Sequence, residues 1–90
     1  MRITPSGAFR RDLRRLDRSV AEDVIQALEL FCSDHKAKAL NFETVRSRKG
    51  YFTIRANYSV RILLRLTAPS EFDVVAVGNH DYIYASYFRK

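Results

Sequence analysis

The chain has 90 residues, which suffices for one small domain with its own core. Sixteen Lys and Arg against ten Asp and Glu give a formal net charge of +6, which favours a polyanion or an acidic protein as partner. The single cysteine excludes an internal disulfide framework and a cysteine-based zinc site. With no membrane-length apolar run and no secretory signal, we expect a cytoplasmic protein that binds no membrane, metal or cofactor.

The first residues predict a short strand and then a helix. Residues 1–4 can form the strand, and Ser6, after the proline that ends it, is expected to be the N-cap of a helix over residues 7–16. The apolar residues of this helix repeat at i, i+4 and i+7, whereas its arginines lie off that stripe. The stripe consists of Phe9, Leu13 and Leu16.

A second helix follows almost at once. The segment Ser19-Val20-Ala21-Glu22 matches a capping box, and the helix is expected to run to about Asp34. Its apolar residues recur every three or four positions, as in a helix with one face on the core. They are Ala21, Val24, Ile25, Leu28, Phe31 and Cys32. We interpret Cys32 as a small core residue.

From Leu40 onward the apolar residues recur at a period of two, which predicts strands. One strand opens with Leu40 and Phe42, and two further alternating runs cover residues 51–56 and 60–66. Residues 72–78 are almost continuously apolar, which is typical of a strand at the centre of a sheet. Turn signals between these runs predict an antiparallel meander.

The order of elements predicts an α+β fold in one domain over residues 1–90. Helices that precede a block of strands pack together on one face of the sheet. We therefore expect an N-terminal helical hairpin on a three- to four-stranded, mainly antiparallel sheet. The aromatic tail, residues 81–90, is expected to form a short helix or an extended arm.

Two arginines are expected to face each other across a hairpin. A three-residue turn over residues 57–59 sets Arg55 directly opposite Arg61, both on the polar face of the sheet. We call these two residues the arginine pair. Like charges in facing positions cost about 0.2–1 kcal/mol, which a phosphate bound between two guanidinium groups would offset.

The same face has further basic residues and a simpler interpretation. Arg65 extends it, opposite Tyr51 on the neighbouring strand. The alternative to a phosphate site is a solvated strand face on which each arginine pairs with Glu43 or Asp73. The sequence alone leaves both interpretations open.

The end of the last strand is expected to lie beside the arginine pair, because residues 60–66 and 72–78 pair through a tight turn. It delivers His80, the side chain suited to move protons near neutral pH. Asp81 can hold its ring, and Tyr84 shares its face if a helical turn begins there. A metal-free ribonuclease needs such parts: a proton acceptor for the 2′-hydroxyl, cations at the phosphate and a proton donor for the leaving oxygen.

Aromatic side chains near this site can stack on unpaired bases. The candidates are Tyr51, Tyr58, Tyr82 and Tyr84. The alternative is that the late aromatic residues cover a sheet edge or bind a partner. Those residues are Tyr82, Tyr84, Tyr87 and Phe88.

On these motifs the chain resembles the RelE/ParE superfamily of toxins from type II toxin–antitoxin systems, over nearly its full length. The resemblance rests most on Arg-x5-Arg over residues 55–61 and on Val-Gly-x-His-Asp-x-x-Tyr over residues 77–84. It implies a metal-independent endoribonuclease that cleaves messenger RNA, expected to act on the ribosome, by attack of the 2′-hydroxyl on the phosphate. It also implies a small, acidic cognate antitoxin, through which the toxin oligomerises.

The resemblance implies roles for individual residues. The candidate catalytic residues are Arg55, Arg61, His80 and Tyr84. The candidate substrate-binding residues are Arg48, Lys49, Arg65, Tyr58 and Asp81. The middle strand lacks the lysine dyad that some members have, and apart from Glu43 no carboxylate base is apparent. Two other functions stay open: a DNA gyrase inhibitor without nuclease activity, and a non-toxic module that binds RNA or a partner.

Overall fold

A five-stranded sheet with two helices on one face forms the described part of the chain, residues 1–86 of a computed structural model. The strands are β1 Arg2–Pro5, β2 Glu43–Thr44, β3 Tyr51–Arg55, β4 Arg61–Ala68 and β5 Glu71–Gly78. The helices are α1 Gly7–Arg14 and α2 Arg18–Ser33, with a short 3₁₀ helix at Lys38–Leu40 and a π-helical C-terminal turn at Tyr82–Ser86.

The strand order is β1-β5-β4-β3-β2, with β1 parallel to β5 and every other pair antiparallel. The predicted α+β architecture is therefore confirmed, and residues 72–78 lie in an interior strand, β5, between β1 and β4. The sheet has one strand more than predicted, because β1 adds to β5 from the far end of the chain. The C-terminal turn confirms the helical alternative for the start of the tail, whereas residues 87–90 lie outside the described part.

The start of α1 agrees with the prediction and the start of α2 does not. Ser6 is the N-cap of α1, and its hydroxyl oxygen accepts a hydrogen bond from the Phe9 amide at 3.1 Å. The capping box predicted at Ser19 is wrong, since α2 begins at Arg18 and Asp17 is its N-cap. The turn after α1 is so tight that the chain is already helical when it reaches Ser19.

The main core lies between the helices and one face of the sheet. Its fully buried members include Val24, Phe31, Leu40, Ile54, Ile62 and Val74. The prediction of Cys32 as a core residue is wrong because its thiol is exposed, and Ile25 is 44% exposed. The apolar stripe of α2 is wider than the surface that α1 and the sheet cover, so these two positions remain at its edge.

The opposite face of the sheet has a smaller core that the sequence did not predict. We call it the second cluster, and the C-terminal turn closes it through Ile83, which is fully buried. Its members are Val45, Leu63, Val75, Ala76 and Ile83, with Tyr51 and Tyr84 packed against them. The face expected to be polar is therefore apolar in its middle, because Leu63 lies on that face of β4 between Arg61 and Arg65.

The segment before β3 also departs from the prediction. Leu40 lies in the 3₁₀ helix and not in a strand. Asn41 then takes a left-handed conformation at φ 47°, which reverses the chain before β2 begins at Glu43. Within residues 1–86, no helix is long and apolar enough to cross a membrane.

Candidate functional site

The hairpin between β3 and β4 brings the arginine pair together as predicted. Arg55 and Arg61 are direct partners in the β3–β4 register. The Ala56 amide donates to the Val60 carbonyl at 2.9 Å, so that pair is the hydrogen-bonded one and the next, Arg55 and Arg61, is not. Non-hydrogen-bonded partners have Cα atoms about 4.5 Å apart and the closest side chains of an antiparallel ladder.

The turn that fixes this register is held by Asn57. Its side-chain oxygen accepts from the amides of Ser59 and Val60, each at 3.0 Å. Its side-chain nitrogen donates to Asp23 of α2, also at 3.0 Å. Tyr58 at the tip of the turn is 90% exposed, within three residues of both arginines, where it can meet a base.

The arginine pair contains buried hydrogen-bond donors without an acceptor. Nε of Arg55 and Nη1 of Arg61 are inaccessible to water and have no hydrogen-bond partner among residues 1–86. Neither arginine forms a salt bridge with a carboxylate of that part of the chain. A buried donor without a partner costs about 1–3 kcal/mol, and more when it is charged. An anion between the two side chains would supply the missing acceptors.

Arg65 differs from the arginine pair because it already has a carboxylate partner. Its Nη2 lies 2.5 Å from Oδ2 of Asp73 on β5. The hydrogen bond that Arg65 donates to Asp73, and then the negative charge of Asp73, raise the pKa of Arg65 above its ordinary value. A role for Arg65 in binding substrate stays a prediction, and a phosphate would compete there with Asp73.

The end of β5 lies beside the arginine pair. Gly78 is the partner of Arg61 in the register, and His80 follows two residues later. The rings of His80 and Tyr84 are 4.5 Å apart with their planes inclined by 35°, so the predicted shared face is confirmed. Asp81 is less closely engaged, because its carboxylate lies 3.7 Å from Nδ1 of His80, too far for a hydrogen bond.

Glu43 is the one apparent carboxylate base of the sequence analysis, which did not assign it to the site. It pairs with Thr53, whose next-but-one neighbour is Arg55, so all three side chains lie on one face of the sheet. It also lines an open cavity of about 540 Å³ with Tyr84 and Arg46. Oγ1 of Thr53 is buried without a partner within residues 1–86. The period of two in the sequence could have indicated which face Glu43 lies on. The strand expected from Leu40 did not, however, fix how Glu43 pairs with the next strand.

Arg48 and Lys49 are not brought to the arginine pair. Both are exposed in the loop before β3, at the opposite end of that strand from Arg55. Five strand residues separate the two ends by roughly 17 Å. These residues line a depression of about 510 Å³ with Tyr51, and can contact RNA only at a distance from the arginine pair.

A metal site is not part of this arrangement. Within residues 1–86, no group of three or more His, Cys, Asp or Glu side chains converges as metal ligands do. The side chains that converge are cationic, aromatic and carboxylate groups on one sheet face. Chemically, they can hold an anion and move protons beside it.

Comparison with known proteins gives a match in structure only. No protein-family model and no curated protein matches the sequence. The RelB–RelE complex from Methanococcus jannaschii matches with a TM-score of 0.74 and 14% identity, over 93% of this chain and 98% of that chain. The chain has the RelE/ParE fold. This fold is the one that the sequence motifs resembled, and that prediction is confirmed.

Two other solved structures have the RelE/ParE fold and match at similar levels. The DinJ–YafQ complex of Escherichia coli has a TM-score of 0.72 and 17% identity, over 93% of this chain and 99% of that chain. The toxin–antitoxin complex RelBE2 from Mycobacterium tuberculosis has a TM-score of 0.69 and 20% identity, over 88% of this chain and 96% of that chain. At such identities a shared RelE/ParE fold does not assign chemistry, which must be argued from the site.

Proposed function

We propose that this chain is the toxin of a toxin–antitoxin system and a metal-independent endoribonuclease. The observation that carries the proposal is the arginine pair, whose buried Arg55 Nε and Arg61 Nη1 have no acceptor within residues 1–86. A phosphodiester of RNA supplies acceptor oxygens in the geometry that guanidinium groups bind best. The adjacent rings of His80 and Tyr84 and the carboxylate of Glu43 belong to the same region of the sheet.

The proposed reaction uses these groups in sequence. Glu43 accepts the 2′-hydroxyl proton, and the 2′-oxygen forms a bond to phosphorus. Arg55 and Arg61 stabilise the negative charge that accumulates on the phosphoryl oxygens. The bond from phosphorus to the 5′-oxygen breaks, and protonated His80 donates a proton to that oxygen. The products are a 2′,3′-cyclic phosphate and a 5′-hydroxyl, and Tyr84 orients the nucleotide by stacking.

Cleavage of RNA by the purified chain tests the proposal. We expect the wild-type protein to cleave messenger RNA in the presence of EDTA, on isolated RNA or on programmed ribosomes. Arg61→Ala should lower kcat by about 100- to 1,000-fold and His80→Ala by about 100-fold or more. Arg18→Ala is the matched control, because Arg18 is exposed on α2, where it pairs with Glu22. Equal cleavage by Arg61→Ala and wild type would overturn the assignment.

Expression in cells separates the proposal from its two alternatives. We expect growth to stop and new RNA 5′ ends to appear after induction. Arrest with intact messenger RNA and DNA damage would instead identify a gyrase inhibitor. Normal growth would identify a module that binds without harm.

An apolar groove on the helical face is the proposed docking site of the antitoxin. The groove measures about 580 Å³, lies between β1, α1 and α2, and contains the exposed side chain of Ile25. Arg10 stands at its edge, and Arg11, Arg14 and Arg15 are exposed beside it on α1. An apolar floor with a basic rim fits an amphipathic helix with acidic flanks. The groove lies on the face opposite to Arg61. To block the site, the rest of the antitoxin must therefore extend around the domain to the other face.

A substitution in the groove should separate neutralisation from activity. Ile25→Asp places a carboxylate on the apolar floor, and we expect co-expression of a small acidic protein from the adjacent gene no longer to restore growth. RNA cleavage by this variant should stay within about twofold of wild type. Gln26→Asp, one residue along α2, adds the same charge outside the groove and should still be neutralised. Full neutralisation of Ile25→Asp would place the antitoxin elsewhere.

A further inference from the structure

Asp12 on α1 joins three distant parts of the chain. Its Oδ2 accepts a hydrogen bond from the Val77 amide of β5 at 3.2 Å. The hydroxyl of Tyr82 lies 3.2 Å from both Asp12 carboxylate oxygens. One carboxylate therefore links a helix on one face of the sheet to β5 and to the C-terminal turn on the other face.

The Val77 amide needs this partner because β1 is too short to provide one. β1 pairs with β5 only from Glu71 to Val74, and the Ser6 amide and hydroxyl then donate to the carbonyls of Val74 and Val75. The chain turns away into α1 at this point, which leaves the next β5 amide on that side without a strand beside it. A charged acceptor from α1 satisfies it, and bonds to charged groups are among the stronger ones in proteins.

The path of Tyr82 to Asp12 depends on Gly78. A Cβ atom at Gly78 would overlap the Tyr82 ring, so the ring packs directly over the glycine backbone. Asn79 fixes the next step, since its side-chain oxygen accepts from the Tyr82 amide at 2.8 Å and its carbonyl accepts from the Ile83 amide at 3.1 Å. These contacts orient the start of the C-terminal turn.

We propose that Asp12 is a positioning residue that, through Tyr82, sets the placement of His80 and Tyr84. His80 lies two residues before Tyr82 and Tyr84 two residues after it, so a rotation of the C-terminal turn moves both side chains. We call the contacts among Asp12, Val77, Gly78 and Tyr82 the clasp. Its effect on catalysis rests on the proposed ribonuclease function, whereas its effect on the two rings does not.

Three variants open the clasp to different degrees. Tyr82→Phe removes the hydroxyl alone and leaves the Val77 bond intact, so it preserves the fold. Asp12→Ala removes both bonds, and Asp12→Asn keeps one acceptor oxygen. We expect Tyr82→Phe to lower kcat about tenfold and Asp12→Ala up to about 100-fold, with KM within about twofold of wild type, since displaced catalytic groups slow the chemical step. Asp12→Asn should recover part of the kcat lost in Asp12→Ala.

A spectroscopic measurement reports on ring placement without reference to activity. The ring protons of His80 lie in the ring current of Tyr84, so their NMR signals should move in Tyr82→Phe and Asp12→Ala. The control is Asp34→Ala, because Asp34 is an exposed carboxylate after α2 that contacts neither ring. Its kcat and its His80 signals should match those of wild type.

The outcomes separate the clasp from the ribonuclease proposal. Unchanged His80 signals in Tyr82→Phe and Asp12→Ala overturn the inference, even if kcat falls. Shifted signals with unchanged kcat also overturn it, because the placement would then not matter to the chemistry. If the wild-type protein cleaves no RNA on or off the ribosome, the proposed function fails, and the His80 signals alone decide whether Asp12 positions the rings.

Discussion

At the scale of single residues, the arginine pair puts function and stability in opposition. Arg55 and Arg61 face each other in the β3–β4 ladder, and each has a buried donor without an acceptor within residues 1–86. A neutral side chain at either position would suit the sheet better. Residues that strain a fold in this way are typical of binding and catalytic sites, where the ligand relieves the strain.

Arg55→Gln should therefore stabilise the protein while it impairs cleavage. Removal of one of two facing charges is worth about 0.2–1 kcal/mol, which corresponds to a rise in Tm of roughly 1–6 °C for a domain of this size. Thermal unfolding followed by circular dichroism measures the change. Arg18→Gln, at an exposed site on α2, should leave Tm within about 1 °C. A lower Tm for Arg55→Gln would mean that the pair does not destabilise the sheet.

At the scale of elements, Ser6 connects the start of α1 to the interior strand β5. Its hydroxyl group accepts from the Phe9 amide and donates its proton to the Val75 carbonyl at 3.0 Å. Ser6→Ala removes the cap of the helix and leaves a β5 carbonyl without its donor. We expect a loss of about 1–2 kcal/mol in the free energy of unfolding, measured by urea denaturation.

Ser19→Ala is the matched control for that measurement. Ser19 has the sequence context of a cap but lies inside the first turn of α2, where its hydroxyl caps nothing. Its replacement should change the free energy of unfolding by less than about 0.5 kcal/mol. Equal losses in the two variants would contradict the assignment of Ser6 as a cap.

The elements that the sequence predicted well are those fixed by local pattern. The alternation along β3 and β4 and the three-residue turn between them determine that Arg55 faces Arg61. Contacts between residues far apart in the chain had no such signal. The parallel pairing of β1 with β5, and the bond from Asp12 to Val77 across 65 residues, depend on the assembled sheet.

The same difference between local pattern and long-range contact decides which residues of the site could be predicted from the sequence. The spacing of four between His80 and Tyr84 predicted their shared face, because only one helical turn was needed. Glu43 was noted as the one apparent carboxylate base but was not assigned to the site, since its two-residue strand gives too short an alternation to fix a register. Cys32 and Ile25 match the periodicity of a core helix, yet nothing in that periodicity says how far the sheet and α1 extend to cover them.

At the scale of the whole molecule, the excess of positive charge should make RNA binding sensitive to salt. The formal net charge is +6, and the arginine pair concentrates two of the cations at one place on the sheet. For single-stranded RNA, each phosphate contact contributes about −0.7 to the slope of log affinity against log salt. Fluorescence anisotropy with an RNA that has a 2′-deoxy nucleotide at the cleavage position measures binding without cleavage.

We expect the magnitude of that slope to fall by about 0.7 in each of the single variants Arg55→Ala and Arg61→Ala, relative to wild type. Arg18→Ala is the control for an arginine outside the site, and its slope should equal that of wild type. A slope that is the same in all three variants would show that the bound phosphate lies away from the arginine pair.

The second cluster is completed late in synthesis, because its last residue lies near the C-terminal end of the described part of the chain. Four of its five residues belong to β4, to β5 or to the loop after β2, and the fifth, Ile83, follows Gly78. A nascent chain that has left the ribosome only as far as Gly78 has its sheet but neither the cover of that cluster nor His80 and Tyr84. Under the proposed function, His80 and Tyr84 join the arginine pair only when translation has passed the C-terminal turn, so we expect a chain that stops at Gly78 not to cleave RNA.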